Sequence, residues 1–335
     1  MPCQIAFYGS PAEYAPLFGE PGAVPGVSFA AVIPAGKDDD PAAFPGVTRF
    51  SSLKEALLAL PFLEGAAFSP SLQDNRDGFF ENAALALSYG KHLFAKVPPD
   101  LPAAKAEELL ELAKASGSLF FPFVPGIGSA SFQTARELLS ARAFGEILTV
   151  SEESPIPSSL PEEGLPESLR ELFLPALFRM RLLCGRPGAV SALYVRSGEA
   201  RAEGCLSPDA ALLQLVFDTG AAASVLFRPG SADKISPSRL LIAGVDKSTV
   251  VDPEFSSNGG SGDALTEYAE EVPSLQRSEL QASFEEFLNA LLTEEPRAAL
   301  PPEALLFPEL LRISDAAVSS ALSGGAQVTL PLSSF

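Results

Sequence analysis

The chain has 335 residues, 47% of them hydrophobic, more than one core usually holds, so two domains are expected. Its 42 acidic and 23 basic side chains leave a formal charge of -19, a field that repels a phosphate backbone and excludes nucleic acid as a partner. Apolar stretches such as Ala56 to Phe68 are broken by charge or proline before the roughly 18 residues of a membrane span, so no membrane partner is expected.

The first third alternates β-rich runs with helical patterns, the signature of parallel strands joined by crossover helices. Strands are predicted over 4–8, 28–33, 65–68, 93–96 and 119–123, and helices over 52–60 and 102–115, with Ser52 and Asp100 as caps. This is a Rossmann-like, doubly wound α/β sheet. Beyond Gly128 the pattern changes to a helix over 132–141, a strand over 146–152, a Pro- and Ser-rich loop and a helix over 166–184. Strands over 190–196, 211–217, 222–227, 239–243 and 249–251 then predict an α+β domain with an open, mostly antiparallel sheet and helices on one face. The Ser-Ser-Asn-Gly-Gly-Ser-Gly run over 256–262 has linker composition, not the strand-to-helix framing of a phosphate cradle. Helices over 278–292 and 302–322 and a strand over 327–330 finish the chain. The expected division is a dinucleotide-binding-type domain over 1–123 and a substrate and dimerisation domain over 124–335.

The opening Met1-Pro2-Cys3-Gln4-Ile5 has neither the basic run nor the small-residue cleavage site of an export signal. Cys3, Cys184 and Cys205 are odd in number and widely separated, which suits reduced thiols, not a disulfide framework or a metal site. A cytoplasmic protein is expected.

After the first strand, a dinucleotide fold places glycines for the tight turn, for close approach of the pyrophosphate and for helix packing. Here the run is Gly9-Ser10-Pro11-Ala12-Glu13-Tyr14, and only Gly9 matches. Ser10-Pro11-Ala12-Glu13 also forms a capping box with proline at the first helical position. Pro11 lacks an N–H, and Glu13 brings negative charge to the place a pyrophosphate would occupy. Two readings follow, an ordinary strand-to-helix turn or a cofactor turn using Gly9, Ser10 and Pro11. Ser69 and Pro70, after the third predicted strand, stand where ligands bind in open α/β sheets.

The segment Gly90-Lys91-His92-Leu93-Phe94-Ala95-Lys96-Val97-Pro98 resembles the Gly-Lys-His-Val run and Glu-Lys-Pro motif of the glucose-fructose oxidoreductase and inositol dehydrogenase family. Ser69-Pro70, Gly145-Glu146-Ile147, Leu183-Cys184-Gly185 and Ser320-Ala321 with Gly324 match further family positions in order. The resemblance implies an NAD or NADP cofactor in the first domain and a sugar, polyol or related carbonyl substrate. It also implies a homodimer, or a larger homo-oligomer, paired through the second domain's open sheet. Lys96 matches the family's motif lysine, and Glu171 and Pro175 fall at the positions of its Asp-x-x-x-His pair. His92, the only histidine, belongs instead to the Gly-Lys-His turn.

Lys96 is thus either a group that holds a substrate hydroxyl or moves a proton, or a strand-end lysine directed at water. Glu171, with Tyr194 and Arg179 behind it, is the candidate to replace the missing imidazole. The corresponding functions are an NAD(P)-dependent oxidoreductase, a catalytically silent relative that binds a small ligand or regulates, or a structural dimer.

Overall fold

The computed structural model describes residues 3–9, 27–34, 47–69, 76–156, 164–195, 209–229, 239–251, 279–292 and 300–331. The apolar runs of the first third form β1 (Cys3–Gly9), β2 (Val27–Ile33), β3 (Thr48–Arg49), β4 (Gly65–Ser69), β5 (His92–Lys96) and β6 (Phe120–Phe123). They make one sheet in the order β3-β2-β1-β4-β5-β6, every pair parallel. Between the strands run α1 (Leu53–Ala59), α2 (Arg76–Ser88) and α3 (Ala103–Ser116). The strand order reverses between β1 and β4, the topological switch point of a doubly wound fold.

Local chemistry sets the helix ends. The Ser52 hydroxyl accepts the Glu55 N–H at 3.2 Å, and the Glu55 carboxylate accepts the Ser51 N–H at 3.0 Å. These Ser51 hydrogen bonds, side chain first, hold the Glu55 carboxyl below its ordinary range. At α3 the N-cap is Pro102, two residues beyond the expected Asp100, and its ring presets the backbone angle there.

One face of the first sheet carries Cys3, Ile5, Phe7, Val32, Ala67, Phe94, Leu119 and Phe121, packed against Phe284, Phe287, Leu288 and Leu291 of α6 (Glu279–Leu292). The helical residues recur at the i, i+3, i+4, i+7 spacing of one apolar stripe. Phe94 is the hub, its ring centroid 5.2 Å from Phe284 in a T-shaped arrangement and 5.6 Å from Phe287. The first unit therefore comprises Met1–Val124 together with Leu280–Leu311. A boundary at residue 123 places α6 in the second domain by sequence order, whereas the chain returns to cover the first sheet.

The second unit comprises Pro125–Glu279 and Arg312–Phe335. It contains α4 (Ala130–Ser140), β7 (Ile147–Ile156), α5 (Leu165–Cys184), β8 (Pro187–Val195), β9 (Ala210–Phe217), β10 (Ala222–Pro229), β11 (Arg239–Gly244), β12 (Ser248–Val251) and β13 (Val328–Thr329). The last long helix, α7 (Pro302–Leu322), begins in the first unit and ends in the second. The seven-stranded sheet has the order β12-β11-β7-β10-β9-β8-β13. All its pairs are antiparallel except β7 with β10. Along β9, Ala211, Leu213, Leu215 and Phe217 are buried while Gln214 and Val216 are exposed, the alternation of a sheet with one covered face. Helix α5 covers that inner face, with Phe173 and Phe227 rings 5.7 Å apart.

Replacing Phe284 by Ala should lower unfolding stability by about 3–5 kcal/mol, the range for an aromatic deleted from a packed core. Urea denaturation of the two proteins checks it.

Candidate functional site

At the switch point Gly9 of β1 pairs with Ser69 of β4, and one residue earlier Phe68 of β4 pairs with Ala95 of β5. Gly9, Ser69 and Lys96 therefore lie in a row across three neighbouring strands at the carboxyl edge of the parallel sheet. Gly9 has φ 135°, a conformation that disfavours any side chain. Lys96 is half-buried at the end of β5. The described part of the edge thus brings the ends of β1, β4 and β5 into line. Ser10, Pro11, Glu13, Tyr14 and Pro70 lie outside the described residues, as does the 256–262 run.

Sequence reasoning passed over Tyr8 and Asn82. The Asn82 amide donates to the Tyr8 hydroxyl at 3.3 Å and to the Gly78 carbonyl at 2.9 Å. The Tyr8 and Phe68 ring centroids lie 5.0 Å apart, on the face that α2 covers, where the Phe68 ring meets Phe79 at 6.2 Å. The signal was the strand's alternation, which puts Tyr8 on the face opposite Phe7.

His92 sits at the other end of β5, about 13 Å from Lys96 at the usual rise per strand residue. It is 5% exposed, and its Nδ1 accepts the Leu119 N–H at 2.9 Å, which requires that nitrogen to be unprotonated. Its neighbours are equally structural. The Gly90 and Lys91 N–H groups donate to the Leu87 and Ala86 carbonyls at 2.9 and 3.0 Å, the paired bonds that close a helix end. The Lys91 ammonium donates to the Pro61 and Leu63 carbonyls at 2.9 and 2.6 Å, holding the turn after α1. Partial burial pulls Lys91 below its ordinary range, opposed by the Glu64 carboxylate. The Gly-Lys-His segment is a device of the fold.

In the second unit, Glu171, Pro175 and Arg179 recur at intervals of four along α5 and so share one face of it. Glu171 and Pro175 are half-buried. Arg179 and Glu152 of β7 are 3% and 2% exposed. The Arg179 Nε donates to Glu152 Oε2 at 3.0 Å and its Nη2 to Glu152 Oε1. The Ser154 hydroxyl donates to the same Oε1 at 2.9 Å, and Arg179 Nη1 donates to the Pro125 carbonyl at 3.0 Å. Arg179 is therefore held by this internal network, which removes it as a stand-in for a proton-transferring imidazole. Tyr194 is half-buried on β8. Burial pushes the Cys184 thiol up to about 12, leaving it protonated and unreactive near neutral pH. Among the described residues no group of His, Cys, Asp or Glu could hold a metal ion, and no helix is long and apolar enough to cross a membrane.

The same architecture occurs in solved dehydrogenases. The myo-inositol dehydrogenase of Lactobacillus casei, in complex with NAD(H) and myo-inositol, matches 100% of this chain and 98% of its own, with TM-score 0.76 and 17% identity. The chain has the fold of the inositol dehydrogenases. A myo-inositol dehydrogenase of Corynebacterium glutamicum shares the inositol dehydrogenase fold over 99% of this chain and 100% of its own, with TM-score 0.74 and 15% identity. An Agrobacterium radiobacter oxidoreductase in complex with NAD+, L-tartaric acid and magnesium matches 98% of each chain, with TM-score 0.71 and 14% identity. No family model and no curated protein matches the sequence. The inositol dehydrogenase fold is the one the motif resemblance implied.

His92→Ala should cost about 1–3 kcal/mol by orphaning the buried Leu119 N–H. His92→Asn, which places an amide oxygen near the Nδ1 position, should recover much of it. Equal losses in the two variants, measured by urea denaturation, would remove the acceptor role.

Proposed function

We propose that the protein is an NAD(P)-binding, oxidoreductase-like member of the glucose-fructose oxidoreductase and inositol dehydrogenase family, acting on a sugar, polyol or related small carbonyl compound. The observation that carries this reading is the Gly9, Ser69 and Lys96 row at the switch point of an inositol dehydrogenase fold. Gly9, Ser10 and Pro11 would form the turn beneath the pyrophosphate, with Ser69 and Pro70 along the crevice. A bound nicotinamide supplies the hydride donor or acceptor. The Lys96 ammonium donates to the substrate's reacting oxygen and steadies the charge that grows there. The second unit's own candidate for proton transfer is Glu171, half-buried on α5. A cytoplasmic setting belongs to this reading and rests on the odd number and wide scatter of the cysteines in the sequence.

A second reading, a catalytically silent relative that binds a ligand or regulates, is favoured by one observation. The sole histidine is buried with its Nδ1 engaged, and proline occupies the position of the family's catalytic imidazole. Losing general acid–base assistance removes typically 10²- to 10⁴-fold, about 3–5 kcal/mol of barrier lowering, so turnover on this scaffold would be slow.

The homodimer implied by the family has a physical basis on the open face of the second sheet. Leu226, Leu212 and Leu193 are cross-strand neighbours on β10, β9 and β8, and Leu226 and Leu193 are exposed. The next row, Ser151, Ser224, Gln214 and Ser191, floors a depression of about 290 Å³. Ser151 and Ser224 hydroxyls lie 3.1 Å apart there. A two-fold axis between the rows sets the leucine ridge of each copy into the serine trough of the other, as an isologous interface requires.

Thermal melting with millimolar NADH or NADPH tests the cofactor reading: a ligand at a hundred times its Kd adds about 2.7 kcal/mol. A melting point that neither nucleotide moves would refute it. If one binds, Lys96→Ala should slow oxidation of a responsive sugar or polyol by about 10²-fold or more, and an unchanged rate removes Lys96 from the mechanism. For the dimer, Leu226→Glu should convert a two-chain mass to a one-chain mass in light scattering; a wild-type protein already at one-chain mass excludes that interface.

A further inference from the structure

The division between the two units falls between Val124 and Pro125, and the residues just beyond it are unusually well tied. The Pro125 carbonyl accepts from Arg179 Nη1 at 3.0 Å. The Gly126 carbonyl accepts both the Ser129 hydroxyl at 2.8 Å and the Ser129 N–H at 3.4 Å. The Ile127 carbonyl accepts from the Gln133 side-chain amide at 2.8 Å. The Ser129 hydroxyl also accepts the Phe132 N–H at 3.3 Å, capping α4. Each successive carbonyl of this turn is bound to α4 or α5.

Gly126 explains how the turn meets Arg179. It has φ 88°, and a Cβ added there would overlap Nη1 of Arg179. The guanidinium therefore lies flat against a backbone that only glycine provides. Its remaining donors engage Glu152 on β7 in the two-pronged geometry that fixes a guanidinium in orientation as well as position. Lysine, a point charge on a flexible stem, could not bridge Glu152 and the Pro125 carbonyl in the same way.

We propose that Arg179 and Glu152 form a clamp that fixes the turn 125–129 on α5 and β7 within the second unit. A pair this deeply buried contributes little net stability over apolar residues of the same volume. What it supplies is a fixed place for the 125–129 turn against α5 and β7. Arg179 is in this sense a positioning residue. The proposal is independent of whether any nucleotide binds.

Hydrogen exchange on the full chain tests it. The matched variant Glu152→Met/Arg179→Met removes both charges and leaves neither orphaned, so its melting point should stay close to wild type. Its 125–133 amides, the Ser129, Phe132 and Gln133 N–H groups among them, should exchange about ten- to a hundredfold faster, while those of β9 and β10 stay protected. Arg179→Lys should loosen the same segment and serves if the double variant does not fold. Unchanged protection over 125–133 in a folded variant would overturn the clamp. So would equal loss of protection across β9 and β10, which would make the pair a support of the whole unit.

Discussion

A parallel sheet needs both faces covered, because its crossover connections leave no solvated side. In this protein α2 and α3 supply one cover through the ordinary crossovers, and among the described residues the other face is packed by α6, which arrives from more than 150 residues further along the chain. Phe94 in β5 receives Phe284 and Phe287 at contact distance, and the same cluster reaches Cys3, Ile5 and Phe7 on β1. The strand that ends in Lys96 and the strand that ends in Gly9 are thus held by one aromatic core. The carboxyl edge, where the candidate site lies, inherits its geometry from that packing.

The residues that carry the family resemblance divide into two kinds. Gly90, Lys91 and His92 close α2, secure the turn after α1 and anchor the start of β6. Ser320 likewise accepts the Ala192 N–H at 3.0 Å and donates to the Ala326 carbonyl at 2.6 Å, tying the end of α7 to β8. These residues specify the fold and would be retained whether or not chemistry is. Gly9, Ser69 and Lys96 stand instead at the carboxyl edge of the first sheet, at its switch point.

The second unit shows a parallel separation. The face of α5 that bears Glu171 and Pro175 continues into Arg179, whose guanidinium is turned inward to Glu152. A buried ion pair with Ser154 and a backbone carbonyl completing its hydrogen bonds avoids the heavy cost of an unpaired charge. On the opposite side of the sheet, small hydroxyl residues and leucines alternate by row along the strands. One sheet thus carries an internal polar network on its covered side and a ridged, half-apolar surface on its open side.

Much of this was legible in the residues. The period-two and period-3.6 patterns located nearly every element, since both are local consequences of which side chains face a core. The Ser52 cap followed from short-range chemistry. The tertiary structure decided matters of long-range pairing: the return of α6 to the first sheet, the single parallel pair β7 with β10, the alignment of Gly9, Ser69 and Lys96, and the Arg179–Glu152 contact across 27 positions. No local pattern encodes such partners, because a buried arginine or a phenylalanine stripe reads the same in sequence whichever strand it will meet. Which strand it meets is settled when the whole chain closes around its cores.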